Sequence, residues 1–314
     1  MSSIVRRSAA VFILALAACQ VPDVGPFVDA SQQVRSGILR SGDAVRLEIQ
    51  AIESLPGYPK PPEGQPRQSK AFDTLWKTRV QVGNAMVDYA SSLHAIATAA
   101  ESGRASGEKL ASAVEALGKA AGFAPGATAA TGIAADVVKM VSDQIALIRG
   151  TSAMQDSMEA ADPAIQGIAA VLRQDLSDSD SILQLAVQQQ LSSETIALAD
   201  NLNFRKKLTD EQKKLYKVDP ITREQETRLG EIDQQLKLAD AWYLPYAKRQ
   251  NEFRAQLRLE RELIAKCGQA VDEWAQVHHR MTLALREGKG FSVDSLLGTA
   301  GEIRDLVRRI QNHE

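Results

Sequence analysis

The sequence predicts an all-α fold, an elongated bundle with long, kinked, coiled-coil-like helices. Three observations predict it. Alanine, glutamine, leucine and charged residues dominate while aromatics make up 5%, a composition that favours long helices over sheets. An apolar seam with alternating three- and four-residue steps runs from Leu229 to Leu285, the signature of a coiled-coil face. No stretch of useful length alternates apolar and polar residues as a half-buried strand would.

The chain opens with a different kind of segment. Arg6 and Arg7 are the only charges before Cys19, and residues 9–18 form an uncharged run. A spanning helix needs roughly 20 apolar residues, so this run is too short to be an ordinary transmembrane segment. A basic start, a short apolar stretch and small residues at its end are the layout of a secretory signal peptide. Leu16-Ala17-Ala18-Cys19 resembles the lipobox of bacterial lipoproteins. The resemblance implies that residues 1–18 are removed and that Cys19 carries a diacylglyceryl group and an amide-linked acyl chain such as palmitate. Two buried chains suffice for stable anchoring. Gln20 stands where an inner-membrane retention aspartate would be, so the expected location is the outer membrane of the cell envelope, on its periplasmic or surface face. Residues 19–26 hold two prolines and a glycine and read as a short lipidated tether. Residues 27–314 are then one elongated helical domain.

The helices follow in order. Residues 27–53 carry Val34, Ile38, Val45, Leu47, Ile49 and Ile52 on a loosely patterned face. Five prolines in residues 55–68 exclude helix there and favour polyproline II. Helix 69–102 carries a seam at Val82, Met86, Tyr89, Leu93, Ile96 and Ala100, continued upstream by Phe72, Leu75 and Trp76. Further helices are expected at 105–121, 132–160, 163–176 and 179–216. Asp162-Pro163 and Asp219-Pro220 read as helix starts, with a capping side chain before a first-turn proline. Thr209 to Gln212 is a capping-box pattern that divides 179–216. Residues 221–287 are expected as one helix on the order of 100 Å long, because the seam keeps phase across Pro245, where a kink is expected. Ser292 caps a last helix, 293–311.

Little in the chain carries chemistry. Removing residues 1–18 takes away two arginines and no acids, so a net charge of −2 becomes −4. That balance argues against a nucleic-acid partner, which needs a basic footprint. The four histidines show no metal-ligand spacing, and no phosphate-cradling or nucleophile motif is present. No catalytic residue, cofactor, metal or small-molecule substrate is inferred, and the chain reads as a non-enzyme. His278 falls on the seam and is expected to bond a neighbouring helix. Cys267, on the same seam, is expected to be an inert buried thiol.

Three sites stand out. Cys19 is the expected lipid attachment point. Residues 120–135 are uncharged and glycine-punctuated, with Phe123 and Ile133 as their only large apolar side chains. An apolar hairpin tip on a helical bundle is similar in outline to the alpha-helical pore-forming toxins, which would imply membrane insertion of that hairpin. Residues 204–217 hold six basic and two acidic side chains. Arg205, Lys206, Lys207, Lys213 and Lys214 could meet an anionic surface, where each cation contributes roughly 1 kcal/mol. The leading expectation is a structural or interaction protein, a scaffold or spacer held to the membrane by acyl chains on Cys19. Its seams would bind an envelope protein or a second copy. The alternative is the toxin-like reading.

Overall fold

Apolar seams become packed helices throughout. In this computed structural model, residues 23–98, 104–121, 143–145, 147–148 and 154–312 are described. Seven long helices appear among them: α1 (Gly25–Glu53), α2 (Gln68–Thr98), α3 (Arg104–Ala120), α4 (Met154–Ala197), α5 (Ala199–Leu215), α6 (Arg223–Glu287) and α7 (Asp294–Gln311). No strand occurs among the described residues, and no described helix is long and apolar enough to cross a membrane. The protein is all-α.

The main core brings α1, α2, α3, α7, the first part of α4 and the last part of α6 together. Val34, Ile38, Val45, Ile49 and Ile52 of α1 are buried, as are Val82, Met86, Tyr89, Leu93 and Ile96 of α2. Leu47 and Leu75 are exposed, at 44% and 61%, because they fall off the stripes these helices bury. Gly42 lets α1 approach α2. A Cβ there would overlap the Trp76 indole, whose Nε1 donates to the Ile38 carbonyl at 3.2 Å.

Helix α6 is a single helix of 65 residues that continues through Pro245, about 100 Å at 1.5 Å per residue. Its start is not at Asp219-Pro220. Thr222 is the N-cap and forms a reciprocal capping box with Gln225. Gly288, at φ +63°, closes it in the left-handed conformation, where a glycine meets no Cβ penalty. Ser292 receives the Asp294 N–H at 3.1 Å, one residue before the N-cap Val293 of α7.

Helix α4 departs from expectation. It runs unbroken through Pro163 and through Ser177–Ser179, where separate helices were expected. A proline inside a helix costs about 3 kcal/mol. Burial of Ala161, Ala164, Ile165 and Ile168 around it favours continuing the helix. Asp162 does not cap, because its carboxylate is engaged by two histidines of α6. The break between α4 and α5 comes at Leu198 rather than near Thr209, whose hydroxyl donates to the Arg205 carbonyl inside α5.

Candidate functional site: a projecting two-helix arm and a buried polar relay

Helices α4 and α5 together run antiparallel to α6 in one unbroken register. Glu159 pairs with Arg286, Arg173 with Asp272, Arg205 with Asp240, and Gln212 with Asp233. From Arg173–Asp272 to Arg205–Asp240 the chain advances 32 residues on one side (173 to 205) and retreats 32 on the other (272 to 240). The Leu198 break therefore inserts no slip, and it lies level with Pro245 on α6.

Leu191 and Phe253 are the last residues of this pair to pack on the main core. Beyond them the two helical segments pack on each other and form an arm. The 31 residues from Arg223 to Phe253 correspond to about 45 Å of helix. The burial pattern changes accordingly. Within the bundle α6 buries a broad face, including Leu263, Ile264, Cys267, Ala270, Val271 and Trp274. In the arm only a narrow seam is buried, at Ile232, Ala239, Tyr246 and Gln250 of α6 and Leu208 of α5. Polar ties reinforce it. Glu194 accepts from Gln250 and Arg249, Thr195 bonds the Tyr246 hydroxyl at 3.1 Å, and Glu211 holds Arg228 through both oxygens.

The arm points away from the first described residues. Val24 shares a small apolar cleft with Leu93, Ala97, Met158, Met281 and Leu285, so α1 begins at the end of the bundle where α6 finishes. The arm tip lies at the other end, about 90 Å along α6.

The basic stretch sits near that tip. Lys206, Lys207, Lys213 and Lys214 are exposed on α5. Arg205 is not part of this free set. Its guanidinium pairs with Asp240 at 2.8 Å and lies 3.8 Å from the centroid of the Tyr243 ring, so it ties α5 to α6. Beside Pro245, Trp242 meets Tyr243 edge-on and Tyr243 lies tilted against Tyr246, with Tyr246 buried; they fill the helix pair at its joint. Cys19, Phe123 and Ile133 lie outside the described residues, as do the signal segment, Ala100 and nearly all of 120–135.

Within the bundle a buried polar relay joins three helices. The Tyr89 hydroxyl on α2 lies 2.7 Å from His278 Nε2 on α6. His278 Nδ1 lies 3.0 Å from Asp162 Oδ1 on α4, and His279 Nδ1 lies 2.7 Å from the other oxygen. Burial opposes Asp162 ionisation, but hydrogen bonds from the two histidines outweigh it and hold the carboxyl below its usual range. Burial pushes His278 down, so the imidazole stays neutral near pH 7. Nδ1–H then donates to the carboxylate and Nε2 accepts from Tyr89. Trp274 stacks on Phe27 and meets Tyr89 edge-on, and its indole N–H donates to Ser31.

Hydroxyl, imidazole and carboxylate in this order can activate a nucleophile. Here Tyr89 and His278 are fully buried, and burial, with the Asp162 charge, raises the phenol well above its normal range. The array is therefore a lock between α2, α4 and α6. The expected bond from His278 to a neighbouring helix is present, whereas the sequence marks Tyr89 only as a seam residue and Asp162 only as a helix cap. Only a fold-level contact over 116 and 189 residues reveals them. Cys267 is buried, near Ser41, with burial pushing its thiol to about 12. No cluster suited to a metal ion exists among the described residues.

Comparison with known proteins finds no matching family model, no matching curated protein and no matching solved structure.

Proposed function

We propose that this chain is a lipid-anchored envelope protein of bacteria and acts as a non-enzymatic scaffold or spacer. The observation that supports this reading best is the polarity of the molecule. Val24, next to the first described residue, lies at one end of the bundle, and a two-helix arm extends from the other. A protein held through Cys19 would thus present its arm tip on the order of 90 Å from the tethered end. Narrow-seam helix pairs of this kind present contact surface at a distance rather than enclosing a substrate. The outer membrane is the proposed site of attachment, following the lipobox resemblance and Gln20.

Metabolic labelling with palmitate tests the anchor. The wild-type chain is expected to take up label, and Cys19→Ala to take up none and to accumulate uncleaved. Site-specific crosslinkers placed along the exposed side of the arm test the scaffold role. Crosslinks to an envelope protein or to a second copy are expected; labelled protein that gives no crosslink anywhere on the arm overturns it. The toxin-like reading rests on residues 120–135 and is separated by vesicle leakage, which the scaffold reading does not produce.

A further inference from the structure

We infer that the outer face of α5 is a docking surface for anionic phospholipid headgroups. Lys206, Lys207, Lys213 and Lys214 are all exposed on this helix, and exposed Lys217 follows in the turn beyond it. At about 100° per residue they occupy roughly a third of the circumference, on the side opposite the buried Leu208. The stripe is about 17 Å long.

Apart from Asp210, the acids beside this stripe are committed elsewhere. Glu211 is held by Arg228, Asp240 by Arg205, and Asp233 accepts from Gln212. Asp210 is the one acid on the lysine face. None of the five lysines forms an ion pair within 4.0 Å among the described residues, although Lys214 contributes to the field that lowers the Glu211 carboxyl.

The composition of the face selects the partner. Its remaining residue, Asn203, is polar, and no apolar side chain lies at its centre. A protein partner would need a dehydrated, apolar centre to its contact. A headgroup layer needs none. Lysines are hydrated point charges on flexible stems, suited to a fluid array of phosphates rather than to one fixed bidentate acceptor. The inference does not depend on acylation of Cys19. If the anchor is also correct, the stripe reaches a surface far from the tethered end.

The test uses the full chain carrying Cys19→Ser, so that no acyl group contributes. It is sedimented with vesicles of phosphatidylglycerol and phosphatidylcholine, and with phosphatidylcholine alone. The expected result is binding to the anionic vesicles only, lost at high salt. Changing Lys206, Lys213 and Lys217 together to Gln should weaken it roughly a hundredfold, while Lys237→Gln with Lys248→Gln on α6 should leave it unchanged. Circular dichroism checks that the triple variant keeps its helix content, and Lys207→Gln with Lys214→Gln gives an independent weakening if it does not. Equal binding to both vesicle types overturns the inference. So does full binding by both lysine variants, or displacement by millimolar inorganic phosphate, which would mark a site for a free anion. Palmitate labelling reports on the anchor separately, so either reading can fail alone.

Discussion

Tyr89 and His278, 189 residues apart, meet with the phenol oxygen 2.7 Å from Nε2, both side chains shut off from water. The contact ties α2 to α6, and Asp162 extends the tie to α4. An unpaired buried acceptor costs about 1–3 kcal/mol. Tyr89→Phe is therefore expected to destabilise the protein by that amount in chemical denaturation. A change below a few tenths would show that the imidazole finds another donor.

The same relay sets the acid limb of stability. His278 and Asp162 both have lowered proton affinity in the folded state. Their contribution is present above the unfolded values, ordinarily 6.5 and 3.8, and is lost as pH falls. The unfolded chain then binds protons that the folded chain refuses. Thermal melts should show stability falling from about pH 6.5 downward, with a shallower fall in His278→Gln. An identical slope in that variant would remove His278 from the account.

Glu48 works in the opposite direction. Burial first, and the Glu260 charge second, raise its carboxyl from 4.5 to about 7. One oxygen of each carboxylate is buried without a hydrogen-bond partner. Glu260 is itself raised by burial, against the pull of Gln256 and Arg40. A raised folded value means full stability below the unfolded value, with loss as pH rises through 7. Glu48→Gln should therefore gain melting temperature over the parent between pH 5 and pH 8. A difference that does not change with pH would contradict this.

Gly42 is a close-approach glycine. Replacing a helical glycine by alanine ordinarily gains about 0.5–1 kcal/mol. At Gly42 the new methyl overlaps the Trp76 ring, and overpacking of this kind costs about 1–3 kcal/mol. Gly42→Ala should destabilise in the parent and stabilise in a Trp76→Ala background. Destabilisation of equal size in both backgrounds would mean that the indole is not the obstacle.

The arm should open without the bundle. Its seam at Leu208, Ile232, Ala239 and Tyr246 lies outside the main core cluster. Ile232, fully buried, is changed to Asp for the test. Hydrogen exchange is expected to show lost protection over residues 199–250, while α1, α2 and α7 keep theirs. Loss of protection across α1 as well would mean that arm and bundle fold as one unit.

The 3.5-residue seam was legible in the sequence because helical periodicity is local. It places α6 from Arg223 to Glu287 within two residues of expectation at its start, and it locates the buried stripes of α2 and α7. Five prolines likewise marked the stretch between α1 and α2, which carries no helix. What the sequence could not supply was the choice among competing local signals. Asp162-Pro163 has every local mark of a helix start, yet the helix runs through it, because two histidines more than a hundred residues away take the carboxylate and the surrounding apolar residues are buried. Thr209 carries a capping pattern, yet the break falls at Leu198, level with Pro245 of the facing helix α6. Arg205 reads as one of a basic run, yet Asp240 and Tyr243 draw it inward and leave the lysines outside. Spacing along one helix determined which face is apolar. Only the packing of that face against a helix distant in sequence decided where helices end, which polar groups are committed and which charges stay exposed.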